Sequence, residues 1–194
     1  MNTTIDHNLF LALNFDGGAL MDGLMLAASG KLTWVPLYLL ILWLLYKREG
    51  WRNLLLFLGL ALFAILLSDM VAGIFKHNGL LGGLGASIPP RLRPMYTPEL
   101  EGMIHVIKWG GRYGSVSAHA ATTFAVALLS GSILRRGWFW AVAICWTLLV
   151  CYSRIYLAYH FPLDLLYGLL LGLLIALLSL WLYRRFRFEP RFEA

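Results

Sequence analysis

The sequence predicts an all-α integral membrane helical bundle, with about five transmembrane helices preceded by N-terminal interfacial helices. Three observations carry that expectation. Of the 194 residues, 60% are hydrophobic and only 13% are charged, about half the charged share of an ordinary soluble domain. The mean hydropathy is +0.71. The apolar residues gather into five long runs, with most charges held in the gaps between them. So much apolar surface on so short a chain calls for lipid as its solvent. The length fits one domain, residues 1–194.

Residues 5–29 come first and break the apolar pattern with Asp6, Asp16, Gly17, Gly18 and Asp22. A carboxylate at mid-bilayer costs about 2.5–3.5 kcal/mol. One or two short interfacial helices are therefore expected here, not a sixth span. The first run, 32–46, is short and extends back past Lys31, whose long stem can snorkel to the interface. The next runs are 54–75, 116–134, 137–152 and 162–183. Each is apolar over a length suited to a bilayer-crossing helix. Pro162 stands just inside the start of the last, where its missing N–H costs nothing. Trp34, Trp43, Trp51, Trp109, Trp138, Trp140 and Trp181 mostly fall near span ends, as an interfacial belt would. Cys145 and Cys151 lie six residues apart in one run and point in different directions on a helix, so they read as packing residues. The opening MNTTIDHN lacks the basic stretch and small-residue cleavage site of a secretory signal.

The formal charge is +6. The basic residues form short groups between apolar runs, not one stripe, which argues against a nucleic-acid partner and for membrane topology with an anion site. One side holds Lys47, Arg48, Arg52, Arg135, Arg136, Arg184, Arg185, Arg187 and Arg191. The other holds Lys31, Lys76, Arg91, Arg93, Lys108, Arg112 and Arg154. The first group hugs helix ends in short gaps and the N-terminal acids fall opposite it, so the first group is expected inside. The second group is then outside, and its richness in cations needs another cause. Binding a phosphate supplies one.

The polar residues of that outer side make a constellation. Lys76 ends the second run. Arg91 and Arg93 precede Pro94. His119 opens the third run in YGSVSAHAATTF, and Arg154, His160 and Asp164 lie in SRIYLAYHFPLD between the last two runs. Topology brings these scattered residues to one membrane face. Several cations, two histidines and a carboxylate suit phosphoryl transfer. Ser117 is placed to N-cap the third helix, so His119 and the first free N–H groups would face an incoming anion. Asp164, four residues after His160, can accept from one imidazole nitrogen and leave the other free to attack phosphorus. Arg154 offers a planar fork of donors, and the second histidine can protonate a departing oxygen.

SRIYLAYHFPLD has the form SRxxxxxHxxxD. It resembles, at all four fixed positions, the third signature of the type 2 phosphatidic acid phosphatase family, which is related to the vanadium haloperoxidases. The family's second signature, PSGH, reads Val116-Ser117-Ala118-His119 here, so Ser and His match. The first, KxxxxxxRP, matches at Arg93-Pro94, but sixteen residues separate Lys76 from Arg93 instead of six, as if HNGLLGGLGA were inserted. The resemblance spans residues 69–164. It implies a membrane lipid phosphatase with His160 as the nucleophile that forms a phosphohistidine, Asp164 as its orienting partner, and His119 as general acid and then base. Lys76, Arg93, Arg154, Ser117 and the backbone at Ala118 would hold the phosphate. No metal or other cofactor is implied. The insertion leaves two readings: the loop bulges and Lys76 keeps its role, or Arg91 takes it over.

Other polar residues carry less. Asp69, seven residues before Lys76, is a candidate partner for a basic residue behind the site. Glu101 and His105 have helical i, i+4 spacing, but two ligands do not make a metal site. Lys108 and Arg112 read as loop charges. The expected substrate is a phospholipid or prenyl phosphate: undecaprenyl diphosphate, phosphatidylglycerophosphate, phosphatidate and lipid A phosphates all fit. The expected place is a cell (inner) membrane, with the site on the outer, periplasmic face. Two rival readings are a lipid- or phosphate-binding or transport component that has lost catalysis, and a vanadate-dependent peroxidase. An intact third signature argues against the first, and five apolar spans argue against the second.

Overall fold

The computed structural model describes residues 3–189, so Arg191 lies outside the described residues. Six helices follow one another: α1 (Thr3–Leu13), α2 (Gly18–Ser29), α3 (Val35–Phe75), α4 (Ala118–Leu134), α5 (Gly137–Tyr156) and α6 (Pro162–Phe186). Among the described residues there is no β-strand, only an isolated antiparallel bridge between Leu92 and Tyr113. The all-α membrane bundle expected from the sequence is what forms.

Helix α3 contains the first two expected spans. It is broken at Gly50, whose φ of 76° and ψ of 173° suit only glycine. A straight helix would set Trp34 and Asp69 about 50 Å apart. Both line one cavity, so the two arms fold back on each other at Gly50. The basic turn between the arms stays helical up to the break because its polar groups have fixed partners. Arg48 donates to the carbonyl of Leu134 at 2.9 Å. Asn53 donates to the carbonyl of Phe188 at 2.9 Å and accepts its N–H at 2.8 Å. The Tyr183 hydroxyl donates to Glu49 at 3.3 Å. These bonds bind the break of α3 to the C-terminal ends of α4 and α6 in one polar cluster, the far end of the bundle.

Among the described residues, three helical segments are long and apolar enough to cross a bilayer: Lys31–Phe75, Gly137–Tyr156 and Pro162–Phe186. The first supplies two crossings through its break. The 17 residues of α4 rise about 26 Å, slightly less than a hydrocarbon core of about 30 Å. It is the most enclosed helix, packed on both arms of α3 and on α5 and α6. The outward faces of α3, α5 and α6 carry exposed Leu39, Leu62, Leu148 and Leu174, as lipid contact demands. Cys145 is exposed on this surface and Cys151 is buried, each as a free thiol.

Helices α4 and α6 meet through glycines. A Cβ at Gly172 would stand 2.5 Å from the carbonyl oxygen of Ala121, and one at Gly168 would stand 2.9 Å from Cβ of Ala120. The two glycines are spaced GxxxG, so the backbones approach as closely as helices in lipid can. The sequence reading passed over this pattern, though it sits in plain view in GLLLG.

The N-terminal helices have 11 and 12 residues and meet at 117°. Each is too short to cross alone, at about 16–18 Å. They lie across the site end of the bundle, as interfacial helices would. The buried Asn14 donates to the carbonyl of Tyr156 at 2.8 Å and accepts the His105 N–H at 2.8 Å. Asp22 accepts from the Tyr156 hydroxyl at 2.6 Å. Residues 101–105 form turns, not a helix, so the i, i+4 pairing of Glu101 with His105 does not arise; His105 instead meets Asp22 at 2.9 Å.

The α4–α6 contact yields a stability prediction. Overpacking typically costs about 1–3 kcal/mol. Gly172→Leu is expected to lower the apparent Tm in detergent by roughly 4–8 °C for a cost of about 2 kcal/mol. Gly59→Leu, where a Cβ meets nothing within 4 Å, is expected to leave it unchanged or higher. Equal losses for both would count against close packing at Gly172.

Candidate active site

The site is built by one tight reversal between α5 and α6. Arg154 sits in the last turn of α5. Its carbonyl accepts the N–H of both Tyr159 (2.9 Å) and His160 (3.2 Å), which folds the chain back on itself. Ala158 completes the turn with a left-handed φ of 54°. Phe161 then N-caps α6, Pro162 takes the first helical position, and Asp164 falls in the first turn, where its Oδ2 accepts the Phe161 N–H at 3.0 Å. The spacing of SRxxxxxHxxxD is the length of this reversal. Arg154, His160 and Asp164 are all buried.

Nδ1 of His160 lies 3.4 Å from Oδ2 of Asp164, within ion-pair distance but too long for a hydrogen bond. Accordingly, Nδ1 has no hydrogen-bond partner in the protein, and neither has Nε of Arg154. Buried orphans of this kind ask for an explanation, and a ligand-binding or catalytic role is one. Burial, then the charges of Arg154, Lys76 and Arg93, hold the His160 imidazole well below its usual pKa, so it is neutral at physiological pH.

The other elements dock onto this reversal. The Ser117 N–H donates to the backbone carbonyl of Asp164 at 3.1 Å, joining the start of α4 to the first turn of α6. The Ser117 side chain caps α4 through the Ala120 N–H at 3.4 Å. Ala118 and His119 then open α4, and the charges of Arg154, Lys31, Lys76 and Arg93 all act on His119. The Leu92–Tyr113 bridge aligns the loop strands, so Arg93 Nε donates to the Tyr113 carbonyl at 3.1 Å. Gly114 lets that strand lie against the nucleophile candidate: a Cβ there would stand 2.9 Å from Cγ of Arg93 and 3.2 Å from Cε1 of His160. The guanidiniums of Arg93 and Arg154 both address the ring of Tyr159, at 5.3 and 4.3 Å from its centroid, which offsets part of their mutual repulsion.

Lys76 caps the C-terminus of α3. The inserted segment does not pull it away. Its glycines let the chain turn back along α3, with the Asn78 N–H on the Gly73 carbonyl at 3.0 Å and Gly85 against Ile74. Burial, with Arg93 and Arg154 nearby, lowers the Lys76 pKa to about 8, while Asp69 and Asp164 pull it upward. Asp69 thus acts on the Lys76 charge. Arg91 stands elsewhere: it donates to Asp164 Oδ1 at 3.0 Å and to Asp6.

Four residues escaped the sequence reading. Asp6 is buried beside Arg91; Ser29, at the end of α2, accepts from Nη1 of Arg154; Lys31 acts on His119; Tyr159 carries the two arginines. An acid in an apolar segment is a functional candidate by default, so Asp6 was legible. Ser29 and Lys31 carried no signal beyond position. Among the described residues, the grouping of metal-type ligands is Asp16, Asp22 and His105, within 4.8 Å of one another. Tyr156 and His105 already occupy Asp22 there, and the site histidines are not part of it.

A cavity of about 320 Å³ opens beside the site. Ser29, Lys31, Asp69 and His119 line one end. Tyr38, Ile41, Phe57, Val126, Trp146 and Val150 line the rest, between the arms of α3 and helices α4 and α5.

The chain is similar to known proteins. The chain is 29% identical over 190 residues to a protein of Porphyromonas gingivalis named lipid A 4'-phosphatase, covering 94% of this chain and 75% of that one. It is 31% identical over 172 residues to a lipid A 4'-phosphatase of Bacteroides thetaiotaomicron, covering 87% and 72%. It is 28% identical over 181 residues to an undecaprenyl-diphosphatase of Sulfolobus acidocaldarius, covering 92% and 78%. The fold matches the crystal structure of a transmembrane PAP2 type phosphatidylglycerolphosphate phosphatase from Bacillus subtilis, with a TM-score of 0.68 and 18% identity over 98% of this chain and 88% of that one. The profile of the PAP2 superfamily matches residues 57–188, more than half of the chain and all of the reversal that carries Arg154, His160 and Asp164, and the chain belongs to that superfamily.

Proposed function

We propose that this chain is a membrane lipid phosphatase that cleaves a phosphomonoester through a phosphohistidine, with a lipid A 4'-phosphate as the favoured substrate class. One observation carries the chemistry: a buried, neutral histidine stands between a carboxylate and three cations. A neutral imidazole is a nucleophile, and the cations receive the phosphate oxygens. The apolar cavity beside His119 supports a lipid, because acyl chains can lie there while the headgroup meets the charges. The two lipid A 4'-phosphatase relatives support the substrate class. The Sulfolobus acidocaldarius relative favours a second reading, an undecaprenyl diphosphate, on the same chemistry.

In the first step Nε2 of His160 attacks phosphorus, and the bond from phosphorus to the lipid oxygen breaks. His119 gives its proton to that oxygen. Asp164 receives the Nδ1–H of the imidazole as it becomes cationic. In the second step His119 takes a proton from water, the hydroxide attacks phosphorus, the P–N bond breaks and inorganic phosphate leaves. Lys76, Arg93, Arg154, the Ser117 hydroxyl and the N–H at Ala118 stabilise the charge on the equatorial oxygens. Each of these steps uses side chains of this chain, so activity is expected to survive excess EDTA. Val116 and Ala118, which depart from the family signature, pack with Ala72 of α3, so the departure fills space and leaves the capped start of α4 intact. The bundle is one domain, placed in the inner membrane with the site end on the periplasmic face, because the far-end cations sit in the shorter gaps.

Three outcomes follow. Purified protein in detergent with EDTA is expected to release phosphate from lipid A 4'-phosphate faster than from the other lipids. His160→Ala should fall by at least about a thousandfold and His119→Ala by about 10²–10⁴-fold; full activity in His160→Ala would sink the mechanism. The pH profile of kcat/KM reports the free enzyme. Lys76 carries its charge below its pKa and loses it as pH rises through about 8, so kcat/KM should fall on that limb, and Lys76→Arg should move the limb to higher pH. The lowered His160 pKa keeps the imidazole unprotonated at lower pH, so it adds no acid limb between pH 7 and 6. For topology, with Cys145 and Cys151 replaced by serine, Gly83→Cys should react with an impermeant thiol reagent in intact spheroplasts and Arg136→Cys only after lysis. The reverse pattern would turn the site inward.

A further inference from the structure

Helix α1 lies before the residues that define the family, yet it reaches the nucleophile's partner. Asp6 is 2% exposed, a buried carboxylate on a short helix. Its Oδ1 accepts the Leu163 N–H at 3.0 Å, one of the free donors in the first turn of α6. Its Oδ2 takes Nη2 of Arg91. The same guanidinium donates through Nη1 to Oδ1 of Asp164 at 3.0 Å. Carboxylate, guanidinium and carboxylate thus stand in a row that ends at the His160–Asp164 pair. The row is held flat: Arg91 lies 4.2 Å over the Phe161 ring, and His7 of α1 stacks on that ring at 4.8 Å and 16°.

We infer that Asp6 is a positioning residue for phosphoryl transfer, acting through Arg91 to fix Asp164 in place and to set the net charge of the row that faces His160. The inference rests on His160 as nucleophile. Asp164 uses one oxygen for Arg91 and the other for the Phe161 N–H, and that second oxygen faces Nδ1 of His160 at 3.4 Å. As His160 attacks, it gains positive charge, and the Nδ1 contact must tighten. An arginine paired with Asp164 alone would cancel the carboxylate's field at the imidazole. Asp6 balances Arg91, so the row has a net single negative charge and Asp164 stabilises the developing imidazolium. The geometry also explains why Arg91 is an arginine. Only a fork with two separated donors bridges two carboxylates, and a lysine is a point charge.

The test is Asp6→Asn, which keeps the shape and an acceptor for Leu163 while removing the charge. In the full-length enzyme, kcat is expected to fall about 10–100-fold, the usual scale for a residue behind a catalytic group, with KM changed less than about threefold and Tm unchanged. The rate of phosphohistidine formation in a single turnover should fall by the same factor as kcat. In an Asp164→Asn background, adding Asp6→Asn should cost little more, because the two act in series. A wild-type kcat in Asp6→Asn would overturn the inference, as would additive losses in the double variant, or a loss that appears only as a lower Tm. If His160→Ala stays active, the phosphohistidine reading fails; if His160→Ala is inactive and Asp6→Asn is normal, only the role of Asp6 fails.

Discussion

A single buried carboxylate, Asp164, organises the end of the bundle where the chemistry is proposed. A carboxylate taken out of water with too few partners is untenable, so everything near it must supply donors. Its side chain accepts the Phe161 N–H, which starts α6, and the Arg91 guanidinium, which brings in the long loop and α1. Its backbone carbonyl accepts the Ser117 N–H, which fixes where α4 begins. Removing it would therefore loosen three segments at once. The close glycine packing of α6 on α4 continues the same constraint into the membrane, since the two helices are pinned together one turn above Gly168. Packing and the proposed chemistry cannot be separated at this residue.

The cations pose the opposite problem. Lys76, Arg93 and Arg154 act on one another, and burial depresses the pKa of both Lys76 and Arg93. Bringing three positive groups together in a partly dehydrated site costs free energy, and the protein compensates only in part, with the Tyr159 ring between two of them and Asp69 behind the third. Arg154 Nε remains without a protein acceptor. An anion with several oxygens relieves all of these at once. Under the proposed function that anion is the substrate phosphate, and binding it should stabilise the fold as well as begin the reaction.

How much of this was legible follows physical lines. The spans were legible because apolar length is a property of composition, and the third motif was legible because a tight helix–turn–helix reversal fixes spacing residue by residue. Gly50 was not read as a hinge, because glycine in a basic turn looks the same whether the helices on either side stop early or run up to it. The sixteen-residue gap before Arg93 looked damaging, yet loop length costs little when the ends stay fixed. Here Gly82 and Gly85 let the extra residues pack back on α3 and leave Lys76 at its cap. Arg91 was seen as a possible substitute for Lys76. The structure gives it other partners, Asp6 of α1 and the side chain of Asp164. Long-range pairs such as Asp6 with Arg91, or Ser29 with Arg154, leave no local trace in a sequence.

The N-terminal helices give these pairs a reason to exist. A phosphatase for lipids must admit a headgroup from the bilayer surface and keep its histidine away from bulk water. The five arms alone form a bundle open at the site end. Helices α1 and α2 lie over that end, too short to cross and too acidic to sink. Their acids do not merely break the apolar pattern. Asp6 reaches Arg91, and Asp22 with Asn14 clamps Tyr156 in the last turn of α5, two residues from Arg154. Ser29 then meets Arg154 directly, at the mouth of the apolar cavity between the arms of α3 and α4. The acids that break the apolar pattern of these helices therefore hold the candidate site in shape, beside the apolar cavity between the arms of α3 and helices α4 and α5.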